Sequence, residues 1–401
     1  MTTTVGVVGE TATGERRVAL TPDGVRSLLA KDLAVVVESG AGRHAFFDDA
    51  AYLAAGATVA ARAAVCDTAD VILCVNPPGD PFPVRAGQLV AGLLTPLAAP
   101  GLARRLAEAK VTMISLDLLP RTLSRAQSMD ALTAQANIAG YKAALVAATA
   151  YSGYFPMLMT AAGTTRPAQV LVLGAGVAGL QAIATARRLG ALVTGYDIRP
   201  AAHDDIRSTG AAVLEVPGTA GPSGATDLSG ATDLSGAAGL SGAAGGGYAR
   251  ELSAEEARGQ QAALDAAISH FDVVITTAQV PGRRPPLLVS ARALAALRPG
   301  SVVVDLAASE LGGNVHGSRP EATDVTAGGV TVIGAGALPS TVPAAASTAY
   351  SRTVCALLIH LVRDGVPRLD LTDEIQAGVV VTHDGQIVHP QVRAAVEENT
   401  P

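Results

Sequence analysis

The sequence predicts an α/β fold of two Rossmann-like parallel-sheet domains, the second inserted into the first. Three observations carry that expectation. Short β-branched runs alternate with helical stretches in two separate series. A glycine-rich turn, GAGVAG, joins a strand to a helix at the head of the second series. The strand-like tail VVVTHDGQIVHP follows after that series has ended, so the chain returns to where it began. The expected boundaries are residues 1–133 with 333–401 for the first domain and 134–332 for the second.

The first series runs through TVGVVG, LAVVVESG, VILCVN and VTMISLDL, with PDGVRSLLAKD and APGLARRLAEAK as helices between them. Thr21 before Pro22 reads as a helix start, a hydroxyl cap followed by a proline whose missing N–H costs nothing there. The second series begins with QVLVLGAGVAGLQAIATARRLGALVTGYD and continues through AAVLEV, FDVVITT and SVVVDLA. Such apolar runs suit strands buried on both faces. VTVIG and the Ala-rich helix PAAASTAYSRTVCALLIHLVRD come next, and in the tail Asp384 and Gly385 signal a hairpin. The uncharged run Ala143–Thr165 has the length of a membrane span, but Gly153, Pro156, Gly163 and its hydroxyl residues favour a buried inter-domain helix. Residues 217–252 contain ATDLSG, ATDLSG and AAGLSG in succession and no apolar period, which predicts a mobile loop.

Composition excludes several classes. With 401 residues, 49% hydrophobic and 16% charged, the chain can bury a sizeable core, so global disorder is out. A net charge of -6 leaves no electrostatic footprint for nucleic acid. Cys66, Cys74 and Cys355 lack CxxC spacing and fit reduced thiols in the cytosol; the seven histidines lack zinc-ligand spacing, so no metal is expected. The N-terminus has no basic segment followed by an apolar one, hence no signal peptide is expected.

The sharpest chemical signal is the glycine turn. Gly174 and Gly176 allow backbone to approach a pyrophosphate, Gly179 allows close helix packing, and the helix N-terminus offers unpaired N–H groups. Asp197 ends the next strand, where a carboxylate accepts from a ribose 2′-hydroxyl and repels a 2′-phosphate. NAD is therefore expected over NADP, and Arg199 is expected to be solvated at the surface. Further upstream, Arg121, Arg125, Gln127, Ser128 and Asp130 precede a helix. By residue type alone they form a polar loop in which Asp130 favours the helix dipole and Arg125 pairs with it.

ERRVALTP, RAQSMDALTAQANIAGY, GAGVAGLQAIATA, YDIRP, GGYARELS, TTAQVPGRRPPLL, VVDLAASELGGN and THDGQIVHP, in this order, resemble the soluble NAD(H)-binding component of proton-translocating nicotinamide nucleotide transhydrogenases. With no hydrophobic hairpins after IVHP, the chain is similar to the separate alpha-1 subunit of three-subunit forms. That resemblance implies direct hydride transfer from NADH on this chain to NADP on a partner subunit. It also implies membrane proton-channel subunits as partners, a homodimer, and a place on the cytoplasmic face of the inner membrane. It further implies that Arg121, Ser124, Arg125, Gln127, Ser128, Met129, Asp130 and Thr133 contact the nucleotide. Among these, Gln127 would lie near the ribose and the incoming NADP, and Asp130 with an arginine would hold the carboxamide. Gly174, Gly176, Val177, Gly179, Asp197, Ile198 and Arg199 would hold the adenosine half, with Gly247, Gln260 and Gln279 as further contacts and Tyr248 on the closing loop. Two stretches depart from the pattern, each by one extra residue: Arg121 to Arg125, which leaves open which arginine reaches the ring, and VDLAASELGGN.

Alanine dehydrogenases, the family's relatives, need a lysine after the strand matching VILCVN and a histidine in the region matching LVAGLLTPLAAP. Here Cys74 falls at the first position, and no histidine lies between His44 and His203. Oxidising an amine releases a proton along with the hydride, so it needs such groups; exchange between two nicotinamides needs only that their C4 atoms be held about 3 to 3.5 Å apart. An NAD(H)-binding module that does no chemistry is the third reading.

Overall fold

The computed structural model describes residues 2–79, 81–216, 254–279 and 284–398. The hexapeptide repeat, Gly247 and Tyr248 lie outside the described residues. The chain divides into two compact units, residues 1–135 with 339–401, and residues 136–338.

The first unit opens with six strands, β1 (Thr4–Val7), β2 (Ala34–Glu38), β3 (Thr58–Ala60), β4 (Val71–Leu73), β5 (Leu89–Gly92) and β6 (Thr112–Ser115). They pair in parallel in the order β3-β2-β1-β4-β5-β6, the doubly wound arrangement. Side chains alternate between two cores. Val5, Val7, Val35, Val37, Val71, Leu73, Leu89 and Ala91 enter one, while Val36, Ile72, Val90 and Met113 enter the other. Burial on both faces is why these strands read as unbroken apolar runs. The connections carry α1 (Pro22–Leu29), α2 (Asp49–Ala54), α3 (Arg62–Thr68) and α4 (Pro100–Glu108). Thr21 caps α1 as expected, accepting from the amide of Gly24. The short strands β3 and β5 and the helices α2 and α3 have too little periodicity to stand out in sequence.

The unit boundary falls inside α5 (Ala131–Ala150), a single 20-residue helix. It ends well before Thr165; an irregular stretch over 151–157 follows, and the end of that uncharged run forms an exposed hairpin of β7 (Leu158–Thr160) and β8 (Gly163–Thr165) instead of continuing the helix. Among the described residues no helix is long and apolar enough to cross a membrane.

The second unit repeats the arrangement. Its strands are β9 (Gln169–Leu173), β10 (Leu192–Tyr196), β11 (Ala212–Val213), β12 (Val273–Thr276), β13 (Val302–Asp305), β14 (Thr323–Val325) and β15 (Thr331–Gly334), ordered β11-β10-β9-β12-β13-β15-β14. All pair in parallel except the edge strand β14. Its helices are α6 (Val177–Arg188), α7 (Ala201–Ser208), α8 (Ala254–Ile268) and α9 (Ala291–Ala296). Val170, Val172, Val273, Ile275, Val302 and Val304 pack on one face, with Ala143, Ala144 and Ala147 of α5 in the same core; Leu171, Leu173, Val274 and Val303 pack on the other.

The chain then returns to the first unit through α10 (Pro343–Leu361), the hairpin of β16 (Val362–Arg363) and β17 (Val366–Pro367), α11 (Glu374–Val379), β18 (Val380–His383), β19 (Gln386–Ile387) and α12 (Pro390–Glu398). Strand β18 joins the edge of the first sheet antiparallel to β6, so that sheet is mixed and not wholly parallel. Asp384 and Gly385 make the tight turn with φ of 48° and 78°, the left-handed geometry the Asp-Gly signal requires.

Candidate functional site

Two groups of residues single themselves out, one in each unit. In the second unit, β9 leads into a turn in which Gly174 has φ 99°, a conformation closed to other residues without strain. A Cβ at Gly179 would overlap the carbonyl oxygen of Gly174. The helix can therefore start directly against the strand end only because position 179 carries no side chain. Gly176 caps α6 without a side-chain bond, so the first amides of the helix, from Val177 on, remain available to an anion. Thr277, just past β12, donates its hydroxyl to the Gly174 carbonyl at 3.0 Å and so braces the turn from below.

Asp197 lies just past β10, 7% exposed. Its Oδ2 accepts from the Ala175 amide (2.8 Å) and Arg199 Nη2 (2.9 Å), and its Oδ1 from the amide and Nε of Arg199 (both 2.9 Å). These four donors fill the roughly four acceptor sites a carboxylate has. A ribose hydroxyl can bond Asp197 only by displacing an Arg199 contact. Arg199 is folded back on the acid, a pairing its sequence position did not reveal, while its side chain stays 38% exposed. Burial pushes the Asp197 carboxyl upward, yet the Arg199 bonds and the Ala175 amide outweigh it and hold the group below its usual range. Beside it Ile198 is exposed, an apolar side chain next to a polar one at the rim of the turn. Gln260 donates to the Tyr196 hydroxyl at 3.3 Å, and Gln279 to the Leu306 carbonyl at 2.6 Å.

Within VDLAASELGGN the chain makes a tight turn, where Ser309 and Gly312 exchange backbone hydrogen bonds of 2.9 Å. Its flanks are fixed by two buried side chains. Asp305 accepts from Thr276, Ser318 and the amides of Ala307 and Val315; Asn314 bonds both the amide and the carbonyl of Ala278, next to Gln279. Sequence inspection singled out the stretch but assigned neither residue a role.

In the first unit, residues Ser124–Met129 form a 3₁₀ turn that runs into α5. Ala126 and Met129 are buried in the core, so Met129 can offer a ligand only its backbone. Ser124, Gln127 and Ser128 are exposed, and Arg121 is half-buried. Asp130 caps α5, its Oδ1 accepting the Thr133 amide (2.8 Å) and its Oδ2 the Thr133 hydroxyl (2.6 Å). Arg125 does not pair with Asp130. It bonds Asp373 and Glu374 at the start of α11, carboxylates that sequence distance hid. Between Arg121 and Arg125 the chain turns, with Leu123 donating to the Pro120 carbonyl.

Sequence inspection also missed a buried acid cluster in this unit. It borders a cavity of about 170 Å³ lined by Glu10, Glu15, Arg17, Glu38, His44 and Arg62 among others. Arg17 clasps Glu15 (Nε to Oε1 2.9 Å, Nη2 to Oε2 2.6 Å) and donates to Gln135 in the first turns of α5 at 2.9 Å. Asn76 Nδ2 reaches both Glu15 (2.7 Å) and Glu10 (3.3 Å). Cys74, by contrast, is wholly buried against Ala91 on the other side of the sheet. The residue of that segment whose side chain bonds the acids is Asn76, an amide and not an amine.

Glu10 is pushed up to about 7, chiefly by burial, with the Val75 and Asn76 amides working against the shift. Between its ordinary value of 4.5 and 7 the folded chain holds a proton that the unfolded chain releases, so this group's contribution to stability falls as pH rises through that window. Glu10→Gln should remove the loss. Its stability advantage over the parent should grow by up to about 3 kcal/mol between pH 4.5 and pH 8 in urea melts, and an advantage independent of pH would contradict the assignment.

The comparisons with known proteins follow both units. The family descriptions "Alanine dehydrogenase/PNT, N-terminal domain" and "Alanine dehydrogenase/PNT, C-terminal domain" match residues 6–139 and 143–390. The chain is 39% identical to the NAD(P) transhydrogenase subunit alpha of Cereibacter sphaeroides, over 96% of this chain and 71% of that one. It is 29% identical to an alanine dehydrogenase of Mycobacterium tuberculosis, over 97% and 95%. Among solved structures, a transhydrogenase from Sinorhizobium meliloti superposes with a TM-score of 0.82 at 37% identity, covering 96% of this chain and 99% of that one.

Proposed function

We propose, from the premise that the chain belongs to the alanine dehydrogenase/PNT family and is similar over nearly its whole length to NAD(P) transhydrogenase alpha subunits, that it is the NAD(H)-binding subunit of a proton-translocating transhydrogenase. The observation that carries the reading is the glycine turn at Gly174–Gly179 with Asp197 beside it. Bare backbone, uncapped helix amides and a charged carboxylate fit the pyrophosphate and adenosine ribose of a dinucleotide. The bound dihydronicotinamide supplies the hydride. The chain's own groups bind and orient it: the α6 amides take the pyrophosphate, Asp197 and Arg199 the ribose, and Ile198 covers an apolar ring edge. Gln127 and Ser128, exposed on the RAQSMD turn, serve the reacting end.

Exchange between two nicotinamides requires no acid or base, only that the two rings be held together. At the acid cluster Asn76, an amide, bonds Glu15 and Glu10, and Arg17 is engaged by Glu15 and Gln135. Of the two arginines, Arg121 makes no ion pair among the described residues, whereas Arg125 makes two; Arg121 is therefore the one assigned to the nicotinamide carboxamide. NADP belongs to a partner subunit, with proton movement coupled through membrane partners that hold this chain at the cytoplasmic face as a dimer. Mixing the chain with an NADP-binding transhydrogenase subunit should give NADH-dependent reduction of an NADP analogue in stopped flow. No transfer above background with both nucleotides bound would overturn the reading, as would NAD reduction by this chain alone with L-alanine.

A further inference from the structure

Arg125 stands in the middle of the RAQSMD turn, yet its guanidinium is given over to the far end of the sequence. Nη1 lies 2.7 Å from Asp373 Oδ2 and Nη2 3.2 Å from Glu374 Oε2. A planar fork can hold two carboxylates at once in a way a lysine cannot. The acceptor side is itself pre-set. Asp373 Oδ1 caps α11 through the amides of Ile375 and Gln376 (2.9 and 3.1 Å), and His360 Nε2 of α10 approaches the same oxygen at 3.2 Å. Burial raises the Asp373 carboxyl, but the Gln376 amide, His360 and Arg125 together bring it down to about 2, so it is charged throughout the neutral range.

The turn also packs against α10. Ala126 and Met129 anchor it inward, and Leu123, Ala126 and Asp130 make short-range amide bonds. On its exposed side, Ser124, Gln127 and Ser128 make no side-chain hydrogen bond among the described residues, so their placement follows that of the backbone between Leu123 and Asp130.

We propose that Arg125 with Asp373 and Glu374 forms a latch that sets the position of the RAQSMD turn, which makes the two acids positioning residues for hydride transfer and removes Arg125 from the nucleotide contacts. The inference rests on the transhydrogenase reading in so far as transfer is what the turn serves. Since displacement of a reacting group by about 1 Å can cost about 100-fold in rate, partial release of the turn should cost about 10-fold.

Asp373→Asn, Arg125→Gln and their combination test it in the full chain, because asparagine still caps α11. Each single variant should lower single-turnover transfer to the NADP-binding subunit about 10-fold, with NADH affinity within about 3-fold of the parent. The double variant should be no slower than either, and Arg125→Lys should recover only part of the rate. Transfer unaffected by Asp373→Asn, additive losses, or a NADH affinity that falls 10-fold in Arg125→Gln alone would each overturn the latch. Amide hydrogen exchange keeps it testable apart from activity. Asp373→Asn should speed exchange at residues 123–130, and unchanged exchange would overturn the latch. Absence of transfer in the parent chain would instead count against the transhydrogenase reading and leave the exchange result to decide the latch.

Discussion

Gly179→Ala is expected to weaken NADH binding by roughly 100-fold, the equivalent of about 3 kcal/mol at the upper end of overpacking costs. The methyl group would overlap the Gly174 carbonyl oxygen and crowd the Thr277 hydroxyl that is hydrogen-bonded to it. The turn must open or α6 must slide, and either movement pulls the helix amides out of register with the pyrophosphate. The control is Gly259→Ala in α8, where a Cβ would meet nothing within 4 Å. There the change should leave NADH affinity alone and raise stability by up to about 1 kcal/mol through helix propensity. Fluorescence titration with NADH and thermal melts of both variants decide the matter; equal behaviour of the two glycines would refute the packing argument.

Asp130→Ala should cost about 1 kcal/mol of stability as a lost helix cap and, separately, about 100-fold in hydride transfer. Both carboxylate oxygens are engaged by Thr133, so the side chain defines how the RAQSMD turn enters α5. Asp130→Asn keeps an acceptor for the Thr133 amide and should lose far less rate. Single-turnover mixing with the NADP-binding subunit reads the rate, and urea melts read the cap. If the alanine variant lost stability while transferring at the parent rate, the turn would be structural only.

These two sites differ in how far they could be read from sequence. Gly174, Gly176 and Gly179 obey a local rule: the spacing of glycines, the strand before and the helix after all fall within a short window, so motif and geometry coincide. Asp197 was legible as an acid at a strand end, but Arg199 folding onto it was not, since a residue two places away can turn to solvent or back with equal ease. The partners of Arg125 lie 248 and 249 residues along the chain, and only the return of the C-terminal segment to the first sheet brings them near. Glu10 meets Val75 and Asn76 across 65 and 66 residues for the same reason, pairing between segments far apart in sequence. The surroundings of Cys74 were not legible because β4 ends at Leu73; past that point strand alternation no longer tells which side chain turns toward the acid cluster. The 3-2-1-4-5-6 strand order, in turn, emerges from pairing between segments and not from any one of them.

The acid after the second strand has a counterpart. In the first unit Glu38, ending β2, accepts the Gly9 amide at 2.7 Å and pairs with Arg62, much as Asp197 accepts the Ala175 amide at 2.8 Å and pairs with Arg199. The first unit has no glycine fingerprint at that turn, yet it keeps the same carboxylate, amide and arginine. The shared triplet is a keystone of the architecture: it ties the loop leaving the first strand to the end of its neighbour in each unit. On the proposed reading, nucleotide recognition at Asp197 would amount to borrowing a keystone, with the ribose taking the place that Arg199 holds in the described structure.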